Sequence, residues 1–174
     1  MTFLFTDIDG AEALIEEALD TFVAAGDLWG IAFTSGQLAG LGLQRRHYGP
    51  ARKAMLQSLE AGEALGAQGW NGVAMQGLAV LDIREGNPER GVRLAGAADR
   101  MIELAGGEVP PAVSGLEDPL EIVKGNLPQG QIDALWEEGR RMDPDEAIAL
   151  ARRKARHDDL GWTSNAGDGG SPDL

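Results

Sequence analysis

Between Trp29 and Gly106 the chain repeats itself at an offset of about 40 residues, and this repeat constrains the fold more than any other feature. Ile31-Ala32, Leu38-Ala39 and Leu41 in the first unit correspond to Val73-Ala74, Leu78-Ala79 and Leu81 in the second. The turn Tyr48-Gly49-Pro50-Ala51-Arg52 corresponds to Gly86-Asn87-Pro88-Glu89-Arg90, and Trp29 is echoed by Trp70. That offset is the size of a two-helix solenoid unit, whose hairpins bury their apolar faces mainly against one another.

The spacing of apolar residues supplies the helices. Ala11, Leu14, Ile15, Ala18, Leu19, Phe22 and Val23 form one stripe, with Glu12, Glu16, Glu17 and Asp20 opposite, which predicts a lead helix over 10–25. Asp9 with Glu12 reads as a capping box, and Gly26 as a left-handed residue closing the helix. The next helix, 29–44, carries Gly36, Gly40 and Gly42. Each interior glycine costs about 1 kcal/mol relative to alanine, so a closely approaching neighbour is expected there. Pro50 at N1 opens a third helix to Gly66, and a fourth spans about 71–85. Asn87 as N-cap and Pro88 at N1 open a fifth, running through Val92, Leu94, Ala98, Met101 and Ile102 to Gly106-Gly107. A loop with Pro110-Pro111 follows, then short helices over 117–125 and 128–141. Asp143-Pro144-Asp145-Glu146 is a strong start for a last helix ending near Arg156. Residues 157–174, polar apart from Trp162, cannot bury enough to order themselves. The expected organisation is thus a strand segment over 1–9, helical repeats over 10–107, C-terminal helices over 108–156 and a disordered tail over 157–174.

Composition excludes several function classes. With 15 Lys plus Arg against 28 Asp plus Glu, the formal charge of −13 argues against sequence-independent attraction to nucleic acid or to an anionic membrane. There is no cysteine and there are two histidines, so a thiolate site is impossible and a transition-metal site is not expected. No apolar run approaches a membrane span and the first residues lack a basic signal-peptide start, so a cytoplasmic location is expected.

Met1–Ile8 is the one segment with strand composition, rich in aromatic and β-branched residues. A lone apolar strand exposes unpaired backbone groups. Pairing through residues 2–8 of a second copy would satisfy them and gives a homodimer; the alternative tucks Phe3 and Phe5 against the chain's own first helices.

Phe3-Leu4-Phe5-Thr6-Asp7-Ile8-Asp9-Gly10 resembles the opening of the catalytic domain of bacterial class III adenylate and guanylate cyclases. In that family the run is the first strand of the catalytic sheet, and the aspartate matching Asp7 holds magnesium. The match stops at Ala11-Glu12-Ala13, where the family has Ser-Thr, and no second metal carboxylate follows. The same residues resemble the nucleophile strand of haloacid dehalogenase-type phosphatases, with Asp7 and Asp9 paired. A larger stretch, about 11–150, resembles the tetratricopeptide-like C-terminal region of bacterial regulators that join a cyclase, LuxR-type or activator-type output domain to an ATPase. The residues that carry it include Ala25-Gly26-Asp27-Leu28-Trp29-Gly30-Ile31-Ala32, Gly86-Asn87-Pro88-Glu89-Arg90, Leu94-Ala95-Gly96-Ala97-Ala98 and Trp136-Glu137-Glu138-Gly139-Arg140. The resemblance implies an all-α, tetratricopeptide-like antiparallel helical repeat, an α-α superhelix with one short N-terminal strand. It implies a module that senses or scaffolds, without catalytic residues or cofactor.

A protein or peptide partner is therefore expected in a groove on the faces of the second and fourth helices, contacted by Gly36, Leu43, Tyr48, Gly77 and Arg84, where small residues leave room. Arg45, Arg46, His47 and Tyr48 share one turn, and arginine forks suit carboxylates, though a solvated turn explains them as well. His157, near Arg152, Arg153, Lys154 and Arg156, reads as part of a cationic helix end. Trp29, Trp70 and Trp136 are expected to anchor the core. The alternative functional reading is a degenerate cyclase-related protein that binds a nucleotide or magnesium through Asp7. A fragment of a larger regulator is the third.

Overall fold

The computed structural model describes residues 8–107 and 116–153, apart from the side chains of Ile8 and Asp9. Among the described residues there are eight helices and no strand: α1 (Ile8–Ala25), α2 (Leu28–Gln44), α3 (Tyr48–Ala64), α4 (Gln68–Arg84), α5 (Pro88–Leu104), α6 (Pro119–Val123), α7 (Gln129–Arg140) and α8 (Pro144–Arg152). The expected N-terminal strand segment, 1–9, lies outside the described residues except for Ile8 and Asp9, which are helical, the first two residues of α1. The proposed homodimer through residues 2–8, Asp7, the Pro110-Pro111 loop, His157, Trp162 and the tail also lie outside them.

The repeat has a finer grain than the sequence reading gave it. Helices α2 to α5 are each 17 residues long, and each ends in the same turn. Gly26, Arg46, Gly66, Gly86 and Gly106, spaced every twenty residues, all have positive φ, between 60° and 106°. In each turn the N–H of the left-handed residue bonds three residues back and the next N–H bonds five back, as in Asp27 to Phe22 (3.0 Å) and His47 to Gly42 (2.8 Å). This is the Schellman closure, which satisfies two carbonyls left over at a helix end. Two such helices make the 40-residue unit.

Joints this short place successive helices side by side and antiparallel. Helices α2 and α3 pair, α4 and α5 pair, and α3 joins the pairs by packing on α4; α1 leans on α2, while α7 lies along α5, and α6 and α8 each pack on both α4 and α5. Helix α4 is the centre, buried on nearly every side from Trp70 to Ile83, which is why its sequence has little amphipathic character. Met55 and Leu59 of α3, Met75, Leu78 and Leu81 of α4 and Leu94 of α5 are the large side chains of the main core. A second cluster joins Ile83 and Val92 to Val123, Ile132 and Leu135.

Several local expectations change. Glu12 does not serve a cap: α1 begins before Asp9, and the Glu12 carboxylate instead accepts from Arg45 at 2.6 Å, tying α1 to the end of α2. Pro50 is the third residue of α3, not the first, which is tolerated because first-turn N–H groups have no helical partner. Asn87 occupies the N-cap of α5 without a side-chain bond, whereas Asp143 does cap α8, accepting from the Glu146 N–H at 2.8 Å.

The tryptophans separate for a reason of register. Trp70 is buried, and its indole N–H donates to Ser58 Oγ at 3.0 Å while Ser58 donates to the Ala32 carbonyl, linking α2, α3 and α4. On the forty-residue spacing its counterpart is Gly30, against which the Phe22 ring of α1 packs. Trp29 comes one position earlier, which rotates it by about 100° on the helix. It is 60% exposed, contrary to the expectation of a core anchor, and stacks on Phe33 at 5.3 Å. Trp136 is half-buried between the two core clusters.

Candidate functional site

The last turn of α2, the joint after it and the ends of α3 and α4 enclose a cleft of about 340 Å³. Helix α2 contributes Gly40, Leu43 and Gln44, the joint contributes Arg46, and Tyr48 opens α3. Arg84, the last residue of α4, faces them, and Leu116 and Glu117 are the other described lining residues. Gly40 has open space where a Cβ would be, so the missing side chain widens the cleft.

Three of the five residues expected in a groove meet here: Leu43, Tyr48 and Arg84. Gly36 lies along α2 from the cleft, facing Ser58 and Trp70. Gly77 is buried beneath the Met55 side chain, in the seam between α3 and α4. A bulky residue there would disturb the core, so Gly77 is no probe of a groove. His47 stands at the N-cap of α3 without a side-chain capping bond.

Arg46 is the residue the sequence reading undervalued. It is the only described non-glycine residue with positive φ, at 60°, in a joint whose four equivalents carry glycine. A side chain in this conformation costs roughly 1–2 kcal/mol, and retained backbone strain clusters at functional positions. Arg45, Arg52, Arg84, Arg90, Arg93, Arg100, Arg140, Arg141 and Arg152 each reach a carboxylate. Arg46 makes no ion pair among the described residues. Across the cleft, Arg84 donates to Glu117 at 2.5 Å, and that bond holds its guanidinium pKa above the ordinary value.

Behind the end of α4 lies a network that the sequence reading missed. Asp82 is fully buried, and its two oxygens accept from different helices: Arg52 of α3 at 2.7 Å and Arg90 of α5. Arg52 also donates to Glu85 at 2.7 Å, and Arg90 donates to the carbonyls of Leu150 (2.6 Å) and Arg153 at the end of α8. Burial pushes the Asp82 carboxyl above the ordinary carboxylate value, while Arg90 and Arg52 pull it the other way. Burial likewise lowers the Arg90 guanidinium, against the pull of Asp82. The Asp82 carboxylate thus fastens α4 to α3 and α5, Arg90 extends the network to α8, and together they fix the turn of α4 that presents Arg84, two residues on, to the cleft. An aspartate inside Val80-Leu81-Asp82-Ile83 was the available sequence signal, since an acid in an apolar run needs a buried partner.

The lining offers two guanidiniums, a phenol, a side-chain amide and two leucines, the chemistry of recognition: directional polar groups around a small apolar floor. Among the described residues no three His, Asp or Glu side chains converge on a metal position, and no helix is long and apolar enough to cross a membrane. No protein-family model, curated protein or solved structure matches the chain.

Proposed function

We propose that this chain is a tetratricopeptide-like helical-repeat module, non-catalytic, that holds a short segment of a partner protein in the cleft between the ends of α2, α3 and α4. The observation that carries this reading is the convergence of Leu43, Tyr48 and Arg84, from three different helices, on one cleft. The twenty-residue recurrence of the left-handed joints supports the repeat architecture, and stacked helical hairpins use such hollows to bind extended peptides. The cleft volume suits two or three residues, the scale of an anchoring motif within a longer contact. The resemblance to the terminal repeats of bacterial regulators is the ground for proposing a partner from signalling or transcriptional control.

The test is selection of peptides from a displayed random library on the wild-type protein, followed by their titration against Gly40→Trp. A Cβ at Gly40 meets nothing within 4 Å, so the indole enters the cleft from open space, and helical circular dichroism of the variant checks that it folds. Selected peptides should lose binding to the folded variant; undiminished binding would refute the assignment.

A further inference from the structure

We infer that the cleft takes a carboxylate group of a peptide and that Arg46 is the residue that binds it. The inference rests on the reading of the cleft as a peptide site and adds the chemistry of the occupant. Arg46 lines the cleft, has no ion pair among the described residues, and keeps a side chain where the equivalent joints have glycine. The chain has 28 acidic residues against 15 basic ones, yet no described carboxylate satisfies this guanidinium. An arginine fork matches a carboxylate with two parallel bonds, which favours this partner over a neutral amide.

The neighbours fit the same occupant. Among the described residues Glu117 is the one acid in the lining and is held by Arg84 at 2.5 Å, so the described lining carries a net positive charge inside an acidic protein. Gln44 and Tyr48 supply an amide and a hydroxyl beside Arg46, and Leu43 and Leu116 supply apolar contact. The arrangement selects a carboxylate next to an apolar side chain, presented either as an Asp or Glu side chain or as a free chain terminus.

The experiment compares acid and neutral probes of the same shape. Acetyl-Leu-Glu-amide is set against acetyl-Leu-Gln-amide, and acetyl-Ala-Leu with a free terminus against its amide. The readout is the amide chemical shifts of Gly40, Leu43, Gln44 and Tyr48 in the full chain. At least one acid probe should bind roughly tenfold more tightly than its neutral counterpart, the worth of a hydrogen bond to a charged group. The pair that shows it identifies the source of the carboxylate. Arg46→Gly, which gives the joint the residue of its four equivalents and so folds, should erase the preference, while Arg46→Lys retains part of it. Equal binding of acid and neutral probes at the cleft, or a preference that survives Arg46→Gly, overturns the inference and leaves the peptide reading standing. If none of the four probes shifts the cleft, the inference falls, and the library selection decides the peptide reading separately.

Discussion

Gly96→Ala, compared with Gly40→Ala, measures how tightly the C-terminal helices are joined to the repeats. Both glycines lie inside 17-residue helices, so replacement by alanine brings each the same propensity gain of about 0.5–1 kcal/mol. At Gly40 nothing lies within 4 Å of the new Cβ, and the variant should be more stable by that amount. At Gly96 the Cβ would overlap the carbonyl oxygen of Trp136 in α7 and stand 3.0 Å from its carbonyl carbon and 3.2 Å from its Cα. Those atoms are backbone and cannot rotate away, so α7 must withdraw. Withdrawal by roughly 0.5–1 Å forfeits a quarter to a half of the dispersion attraction across the seam. Ile132 and Leu135 of α7 are each 4% exposed, and full burial of such side chains is worth about 1.5–3 kcal/mol apiece. The loss is therefore about 1–3 kcal/mol, the usual range for overpacking. Since the propensity term is common to both variants, their difference isolates this steric loss. Urea unfolding followed by helical circular dichroism reads it, provided the slope is unchanged. If Gly96→Ala proves as stable as Gly40→Ala, the α5–α7 crossing is not as close as described.

Other substitutions probe the buried network, the strained joint and the surface ion pairs. Asp82→Asn leaves Arg52 and Arg90 facing each other without the buried charge that satisfies both, and should cost about 3–5 kcal/mol in the same unfolding assay; a loss below about 1 kcal/mol would mean the network holds nothing together. Arg46→Gly relieves the left-handed strain and should raise stability by roughly 1 kcal/mol, seen as a higher Tm; an unchanged or lower Tm would contradict the strain argument. Glu103 accepts from Arg100 and Arg140, and these bonds hold its pKa below the ordinary glutamate value. Its stabilising contribution is accordingly present above the ordinary glutamate range and lost as pH falls through the depressed value. A carboxyl NMR titration of Glu103 should move upward in Arg140→Gln, and no movement would exclude that pairing.

The helices were legible because their ends are written in residue types with a single physical use: glycine at the left-handed joints, proline in first turns, Asp143 as a cap. The forty-residue offset was legible through Leu38, Leu41, Leu78 and Leu81, which keep it without drift. Matching Trp29 to Trp70 and Pro50 to Pro88 departed from that spacing, and a shift of one residue on a helix turns a side chain from the core to solvent. Trp29 shows the consequence, 60% exposed where Trp70 is buried. Of the site, Leu43, Tyr48 and Arg84 were legible because they stand at helix ends on one side of the repeat. Gly77 was not distinguishable from a groove residue, since a glycine that makes room for Met55 and one that makes room for a ligand look alike in sequence. Arg46 stood out only once the other joints were seen to carry glycine at the same φ.

The proposed place of partner recognition is the cleft between the ends of α2, α3 and α4. Chemical-shift mapping of a library-selected peptide on the isotopically labelled chain tests it most directly. Perturbations should concentrate at Gly40, Leu43, Gln44, Arg46, Tyr48 and Arg84, with Trp29, Phe33 and Trp70 unaffected. Perturbations centred on that aromatic cluster, or spread without focus over the surface, would contradict it.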